Sequence, residues 1–134
     1  MTFEGPLDDR VAIQELVASY GDAVSRHDIE DWGALWTADA VWRHPELGDL
    51  SGRSAIIASC ADAMKRYPLL VFTVMLGAVR VQGDKAEGRA FTSELVTNAD
   101  GVTYRVTGRY DDLYAKCDGR WLFAQRTFTY LHSG

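Results

Sequence analysis

The sequence predicts an α+β fold in which three N-terminal helices pack in a strongly curved antiparallel sheet, giving a cone-shaped α+β barrel. Apolar residues with helical spacing are confined to the first half of the chain, before Pro68. Four long strand-like segments fill the second half and are joined by short turn sequences. Glycines inside those segments indicate bends, and a bent sheet wrapped around helices encloses a hollow with an open mouth.

The helices are predicted from apolar spacing and from capping residues. The first extends from Asp9 to about Arg26, and Asp8 or Asp9 is expected to cap its start. Its apolar stripe consists of Ile13, Leu16, Val17, Tyr20 and Val24. Asp28 is predicted to cap a second, short helix. A third helix extends from about Arg53 to Tyr67 and is ended by Pro68.

The strands are predicted from their residue types and from the turns between them. Residues 40–44 form a short strand that Pro45 ends. The four later strands are predicted at Leu69–Gln82, Lys85–Thr97, Val102–Cys117 and Arg120–Leu131. Gly77, Gly88 and Gly108 fall inside them and indicate bulges. The last strand is apolar on both faces, with Trp121 and Phe123 on one and Leu122, Ala124, Phe128 and Tyr130 on the other. An exposed apolar face predicts a homodimer through the outer side of the sheet.

Composition limits the classes of function. The chain has 134 residues and a net charge of −5, which fits one domain over residues 1–134 and argues against nucleic-acid binding. The longest apolar stretch, Leu69–Val79, is too short for a membrane helix, and the N-terminus has no apolar signal segment. Cys60 and Cys117 do not form a CxxC motif, so we interpret them as free thiols in a reducing cytoplasm.

Motifs for metals and cofactors are missing from the sequence. It contains no glycine-rich phosphate loop, no G-x-S-x-G elbow and no His-x-x-x-His pair. His44-Pro45-Glu46 matches the first half of a deaminase zinc motif, but no P-C-x-x-C follows. We therefore expect neither a metal nor a cofactor.

Two segments resemble a known family. Residues 20–45, with Asp-x-x-x-Trp-x-x-Leu-Trp and Asp-Ala-Val-Trp, resemble the opening of the SnoaL-like branch of the nuclear transport factor 2-like superfamily, which includes ketosteroid isomerase-like and scytalone dehydratase-like proteins. Residues 108–126 resemble the terminal hairpin of that branch. The resemblance implies the cone-shaped fold, which hosts isomerases, dehydratases, cyclases, epoxide hydrolases and non-catalytic binders.

The resemblance also implies candidate catalytic residues. The Asp–His dyad of dehydratase members falls on Ser25 and Val74, so that pattern is broken. In the ketosteroid isomerase-like pattern, a Tyr on the first helix and a second donor on the penultimate strand stabilise an enolate, and a carboxylate before a Pro shuttles the proton. These positions correspond to Tyr20, Tyr110 and His44, and imidazole is a competent base near neutral pH.

Each candidate also has a purely structural interpretation. Tyr20 and Tyr110 are also consistent with buried core tyrosines, and His44 with a residue that caps the Pro turn. Glu94 is a rival base if it points inward and a surface charge if it points outward, the orientation that we favour. Residues expected to form the core and to supply the cavity wall are Val24, Trp36, Trp42, Met64, Tyr67, Phe72 and Val74.

Three arginines complete the set of candidates. Arg105, Arg109 and Arg126 are expected to pair with Asp111, Asp112 or Glu94, and one of them is a candidate anchor for an anionic substrate. Together these features predict a small cofactor-free enzyme that transfers a proton on a hydrophobic cyclic carbonyl or hydroxyl compound, by isomerisation, dehydration or cyclisation. The alternative is a non-catalytic protein of the same fold that binds a hydrophobic ligand.

Overall fold

The computed structural model describes all 134 residues and contains three helices and six strands. In chain order these are α1 (Leu7–Ser25), α2 (Ile29–Gly33), β1 (Trp36–His44), β2 (Gly48–Ser51), α3 (Arg53–Arg66), β3 (Leu69–Gln82), β4 (Lys85–Thr97), β5 (Thr103–Cys117) and β6 (Arg120–Ser133). The strands form one curved, unclosed sheet in the order β2-β1-β6-β5-β4-β3, and the helices pack against it. The predicted fold class is confirmed.

The first two strands depart in detail from the prediction. β1 begins at Trp36, four residues earlier than expected, and it pairs with β6 in parallel rather than antiparallel orientation. β2 was not predicted, because its four residues, Gly48–Ser51, carry little strand signal of their own. It forms by pairing with β1 across the turn that follows His44. Tertiary pairing decides both features.

The start of α1 also differs from the prediction. Pro6 occupies the N-cap position and offers no capping side chain, so Asp8 and Asp9 lie in the first turn instead. Asp9 accepts hydrogen bonds from Trp121 Nε1 at 2.9 Å and from Lys116 Nζ at 3.2 Å. This aspartate therefore ties the helix to the β5–β6 hairpin. Asp28 caps α2 as predicted, accepting from the backbone N–H of Asp31 at 3.0 Å.

Bulges produce the curvature that the strand glycines indicate. The ladder shifts register at Gly77 in β3 and beside Gly108 in β5. Gly88 lies in a regular part of the ladder, where the predicted bulge is absent. A Cβ atom at this position would lie 2.6 Å from the carbonyl oxygen of Ala78, so Gly88 is required for close approach of the backbone.

One further bulge changes which side chains of β6 point inward. Leu113 pairs with Gln125 and Tyr114 with Phe123, which leaves Ala124 without a partner in the ladder. The extra residue reverses the alternation, so Phe128 is buried on the same side as Phe123. The prediction that Phe128 and Tyr130 lie on the opposite face from Trp121 and Phe123 is therefore wrong, because both follow this bulge and turn toward the interior.

Candidate functional site

A cavity of about 170 Å³ opens between the helices and the inner face of the sheet. Buried side chains close its inner end, among them Tyr20, Trp42, Phe72 and Tyr110. Exposed residues surround its mouth, among them Glu46, Arg66, Tyr130 and Ser133. His44 and Glu94 contribute to the wall, and most of the remaining lining is hydrophobic. The cavity is therefore an apolar, aromatic hollow that contains a small number of polar groups.

Most of the candidate residues from the sequence meet in this cavity. Those that line it are Tyr20, Val24, Trp42, His44, Tyr67, Phe72, Glu94 and Tyr110. Trp36, Met64 and Val74 do not line it, so their predicted place in the wall is wrong. Trp36 and Met64 are buried in the core, and Val74 packs against α1 beside Gly21. Apolar spacing identifies buried positions but does not separate core from cavity wall.

Two phenols and an indole form a hydrogen-bonded group at the inner end. The Trp42 Nε1–H donates to the hydroxyl oxygen of Tyr110 at 3.2 Å, and the hydroxyls of Tyr20 and Tyr110 lie 3.4 Å apart. Burial raises the pKa of Tyr110 to about 12 and raises the pKa of Tyr20 well above its ordinary value. Either hydroxyl can be the donor in this contact. When Tyr20 is the donor, the O–H of Tyr110 is available to donate to a molecule in the cavity.

A buried arginine lies behind these phenols. The Arg126 guanidinium is 3.8 Å from the ring centroid of Tyr110 and 4.4 Å from that of Tyr20, and the residue is 0% exposed. Its Nε and Nη2 donate to the carboxylate of Asp112 at 2.7 and 3.0 Å, and Tyr114 donates to the same carboxylate. The Arg126 charge opposes the rise in the Tyr110 pKa that burial causes. The arginine therefore makes Tyr110 a better hydrogen-bond donor than burial alone would allow.

None of the three arginines considered from the sequence lines the cavity. Arg126 pairs with Asp112, and Arg109 pairs with Asp111 at 3.2 Å, so two of the predicted pairings are confirmed. Arg105 is exposed. The candidate anchor for an anionic substrate is therefore missing from the site.

Glu94 faces the cavity, and the outward orientation favoured from the sequence is wrong. It lies on the same face of β4 as the buried residues Thr92 and Val96. Its carboxyl group has no hydrogen bond or ion pair within the protein. Burial, and secondarily the nearby Glu46 carboxylate, raise the pKa of Glu94 to about 7. A carboxyl group with this pKa can accept and return a proton near neutral pH.

His44 is held at the end of β1 with a defined tautomer. Its ring stacks on that of Phe128 with centroids 4.9 Å apart, and its Nδ1 accepts from the backbone N–H of Glu46 at 3.2 Å. Burial lowers the pKa of His44, which favours the neutral imidazole. Because Nδ1 accepts, the neutral ring carries its proton on Nε2 and acts there as a donor. The role of His44 as the base stays a prediction.

The positions of the Asp–His dyad contain no acid or base. Ser25 Oγ accepts from the backbone N–H of Phe72 at 2.8 Å, so Phe72 is the strand residue beside Ser25, and Val74 lies two residues further on. None of these side chains titrates near neutral pH. The structure also adds lining residues that were not among the sequence candidates, including Glu46, Cys60, Tyr104 and Tyr130. The sequence could have indicated Tyr104, because strand alternation puts it on the same face of β5 as Tyr110. It could not have indicated Tyr130, because the orientation of that side chain depends on the register of β6.

The chain belongs to the SnoaL-like domain family, whose model matches residues 5–127. This confirms the resemblance to the SnoaL-like family seen in the sequence. An uncharacterised protein of Mycobacterium tuberculosis is 29% identical over 128 residues, which cover 92% of this chain and 86% of that protein. An uncharacterised protein of Mycobacterium bovis gives the same figures.

Two solved structures have the same fold. A type 2 hexachlorocyclohexane dehydrochlorinase superposes with a TM-score of 0.88 at 20% identity, covering 96% of this chain and 88% of that one. A protein proposed to be a scytalone dehydratase, from Novosphingobium aromaticivorans, gives a TM-score of 0.85 at 17% identity, with coverage of 96% and 87%. At these identities the likeness concerns the fold alone.

Proposed function

We propose that the protein is a small enzyme of the isomerase or dehydratase type that transfers a proton on a hydrophobic cyclic carbonyl or hydroxyl compound. One observation carries this proposal: a half-buried carboxyl group without a partner in the protein, Glu94, shares an aromatic cavity with the hydroxyl of Tyr110. A base and an oxyanion donor in one largely apolar cavity are the two groups that enolisation requires.

The proposed step begins with Glu94 as the base. Its carboxylate takes a proton from the carbon next to the substrate carbonyl, and the C–H electron pair forms a C=C bond. The carbonyl oxygen takes up the negative charge and accepts a hydrogen bond from Tyr110, whose oxygen is itself supported by Tyr20 and Trp42. The C=O bond then re-forms as the enolate electrons move back. In isomerisation, the electron pair of a conjugated enolate takes the proton from Glu94 at a different carbon, so that a C=C bond changes position. In dehydration, the electrons form a C=C bond while the C–O bond of a neighbouring hydroxyl group breaks, and Glu94 gives its proton to that oxygen, which leaves as water.

Two further features support this assignment. The Nε2–H of neutral His44 is a second donor for an oxygen of the substrate. Among proteins of this fold, the names dehydrochlorinase and dehydratase both denote removal of a small molecule, HCl or water. In this chain Glu94 takes the role of the base, since the dyad positions, Ser25 and Val74, offer none.

Exchange of deuterium into 2-tetralone in D₂O, followed by NMR, tests the proposal without knowledge of the natural substrate. The wild-type protein is expected to accelerate exchange next to the carbonyl, and the rate is expected to rise as the pH passes about 7 because Glu94 must be ionised. Glu94→Gln should reduce exchange to the buffer rate. Tyr110→Phe should lower it by about 10²–10³, the usual effect of losing an oxyanion donor.

The controls separate the candidate bases. Glu15→Gln changes an exposed carboxylate of α1 outside the cavity and should leave the rate unchanged. Wild-type exchange in Glu94→Gln, combined with loss of exchange in His44→Gln, would transfer the role of base to His44 and refute our assignment.

The alternative function is binding of a hydrophobic ligand without turnover. The absence of an acid or base at the dyad positions, Ser25 and Val74, favours it. Under this alternative, 2-tetralone raises the melting temperature of the wild-type protein while exchange stays at the buffer rate.

A further inference from the structure

The charged side chains that line the cavity determine which charge a ligand must have to bind there. Its wall contains two carboxyl groups, Glu46 and Glu94, and a single cationic side chain, Arg66. Arg66 lies at the rim with 55% of its side chain exposed, and its Nε is 3.2 Å from Asp62 Oδ2. No ion pair joins either glutamate to a cation of the protein. The cavity therefore has an excess of negative charge.

Aromatic rings lie beside this negative charge. Tyr67, Tyr104 and Tyr130 line the cavity together with the two glutamates, and the carboxylate of Glu46 contributes to raising the pKa of Tyr130. The faces of tyrosine rings attract cations, and carboxylates accept charge-assisted hydrogen bonds from ammonium groups. An anion at the same place would meet two carboxylates and no unpaired cation.

We propose that the ligand is a ring compound bearing a basic nitrogen, with the ring in the aromatic inner end and the protonated nitrogen among Glu46, Glu94 and the tyrosines of the outer half. This inference rests on the proposed function, since it names the substrate class for the same cavity: a cyclic carbonyl or hydroxyl compound that is also an amine. The nitrogen supplies the donor that Glu94 lacks within the protein. It also favours the ionised carboxylate that the proton-transfer step requires.

Three naphthalene compounds that differ in charge test the proposal by isothermal titration calorimetry at pH 7.5. They are 1-naphthylmethylamine, 1-naphthylmethanol and 1-naphthoic acid, which are respectively cationic, neutral and anionic at this pH. The amine is expected to bind at least tenfold more tightly than the alcohol, as one charge-assisted hydrogen bond would provide. The acid is expected to bind most weakly.

Variants assign the preference to the two glutamates. Glu46→Gln and Glu94→Gln should each reduce the advantage of the amine over the alcohol, and the double variant should abolish it. Glu15→Gln makes the same change of charge on an exposed face of α1 and should leave all three affinities unchanged. Comparison with the alcohol in every variant separates loss of charge recognition from general damage to the cavity.

Three outcomes would overturn the proposal: equal or tighter binding of the acid, an amine preference that survives in the double variant, or failure of all three compounds to bind. These measurements do not depend on turnover. If the wild-type protein accelerates deuterium exchange but does not prefer the amine, the ligand class alone is refuted. If the wild-type protein prefers the amine but does not accelerate exchange, the proton-transfer function alone is refuted.

Discussion

Glu94 is a carboxyl group that folding brings into a cavity without a partner. Its pKa of about 7 in the folded protein, against about 4.5 for a free glutamate, means that the folded state favours the protonated form. Below pH 4.5 the group is protonated in both states and costs nothing. Between pH 4.5 and about 7 the unfolded chain has released this proton while the folded protein keeps it, so the free energy of unfolding falls as the pH rises through this window. Above pH 7 the loss is complete, because the folded protein then holds an ionised carboxylate without a partner.

Replacing Glu94 is therefore expected to stabilise the protein at high pH. Glu94→Gln keeps the shape of the protonated side chain but cannot ionise, so its gain at pH 8 should be about 1–2 kcal/mol. This corresponds to a rise of about 3–6 °C in melting temperature over the wild type. The measurement is thermal unfolding followed by circular dichroism at pH 8 and at pH 4.5. An equal difference at the two pH values would contradict the burial of this carboxyl group.

At the scale of the element, the β5–β6 pair shapes the cavity through a glycine. A Cβ atom at Gly108 would lie 2.2 Å from the ring of Phe128. This ring stacks on His44 and packs against Tyr110, with centroids 4.9 Å apart in both cases. The missing side chain of Gly108 thus makes room for the aromatic ring that supports two polar groups of the site.

Gly108→Ala should accordingly force Phe128 to move and destabilise the protein by about 1–3 kcal/mol, the usual cost of overpacking a core. Urea unfolding measures this loss. The double variant Gly108→Ala/Phe128→Leu tests the cause, because a smaller side chain should recover part of the stability. If the second substitution only adds to the loss, the contact with the ring is not the reason for the glycine.

At the scale of the whole molecule, the outer face of the sheet carries an apolar patch without cover. Met75 and Phe91 are cross-strand partners that are 65% and 37% exposed. Arg109, next to Phe91, and Asp111 provide charges of both signs on β5. A surface with apolar residues and both charges is complementary to a second copy of itself. We propose that two chains associate through this face.

Sedimentation equilibrium measures this association directly. The wild type should have twice the chain mass of 14.9 kDa, and Met75→Glu/Phe91→Glu should reduce it to one chain mass. Leu7→Glu/Val11→Glu introduces the same two charges at exposed apolar residues of α1 and should leave the dimer intact. A monomeric wild type at micromolar concentration would rule out this proposal.

None of the three helices has the length and apolar character needed to span a bilayer.

Local sequence determined the elements of this protein. Apolar spacing and the breaks at Pro68 and the turns locate α1, α3 and β3–β6 to within two residues of their observed bounds. The family resemblance indicated Tyr20, His44 and Tyr110, and all three line the cavity. These features are local because the periodicity of a helix or strand depends on residues that are near each other in the chain.

Tertiary structure alone decided which side chains share the cavity and in what chemical state. The inward orientation of Glu94 depends on sheet register, and the position of Tyr130 depends on a bulge at Ala124 that shifts alternation by one residue. The tautomer of His44 depends on a backbone N–H two residues away in a turn. Register, burial and hydrogen bonding arise only when distant segments pack together, so the pKa of Glu94 is a property of the folded chain.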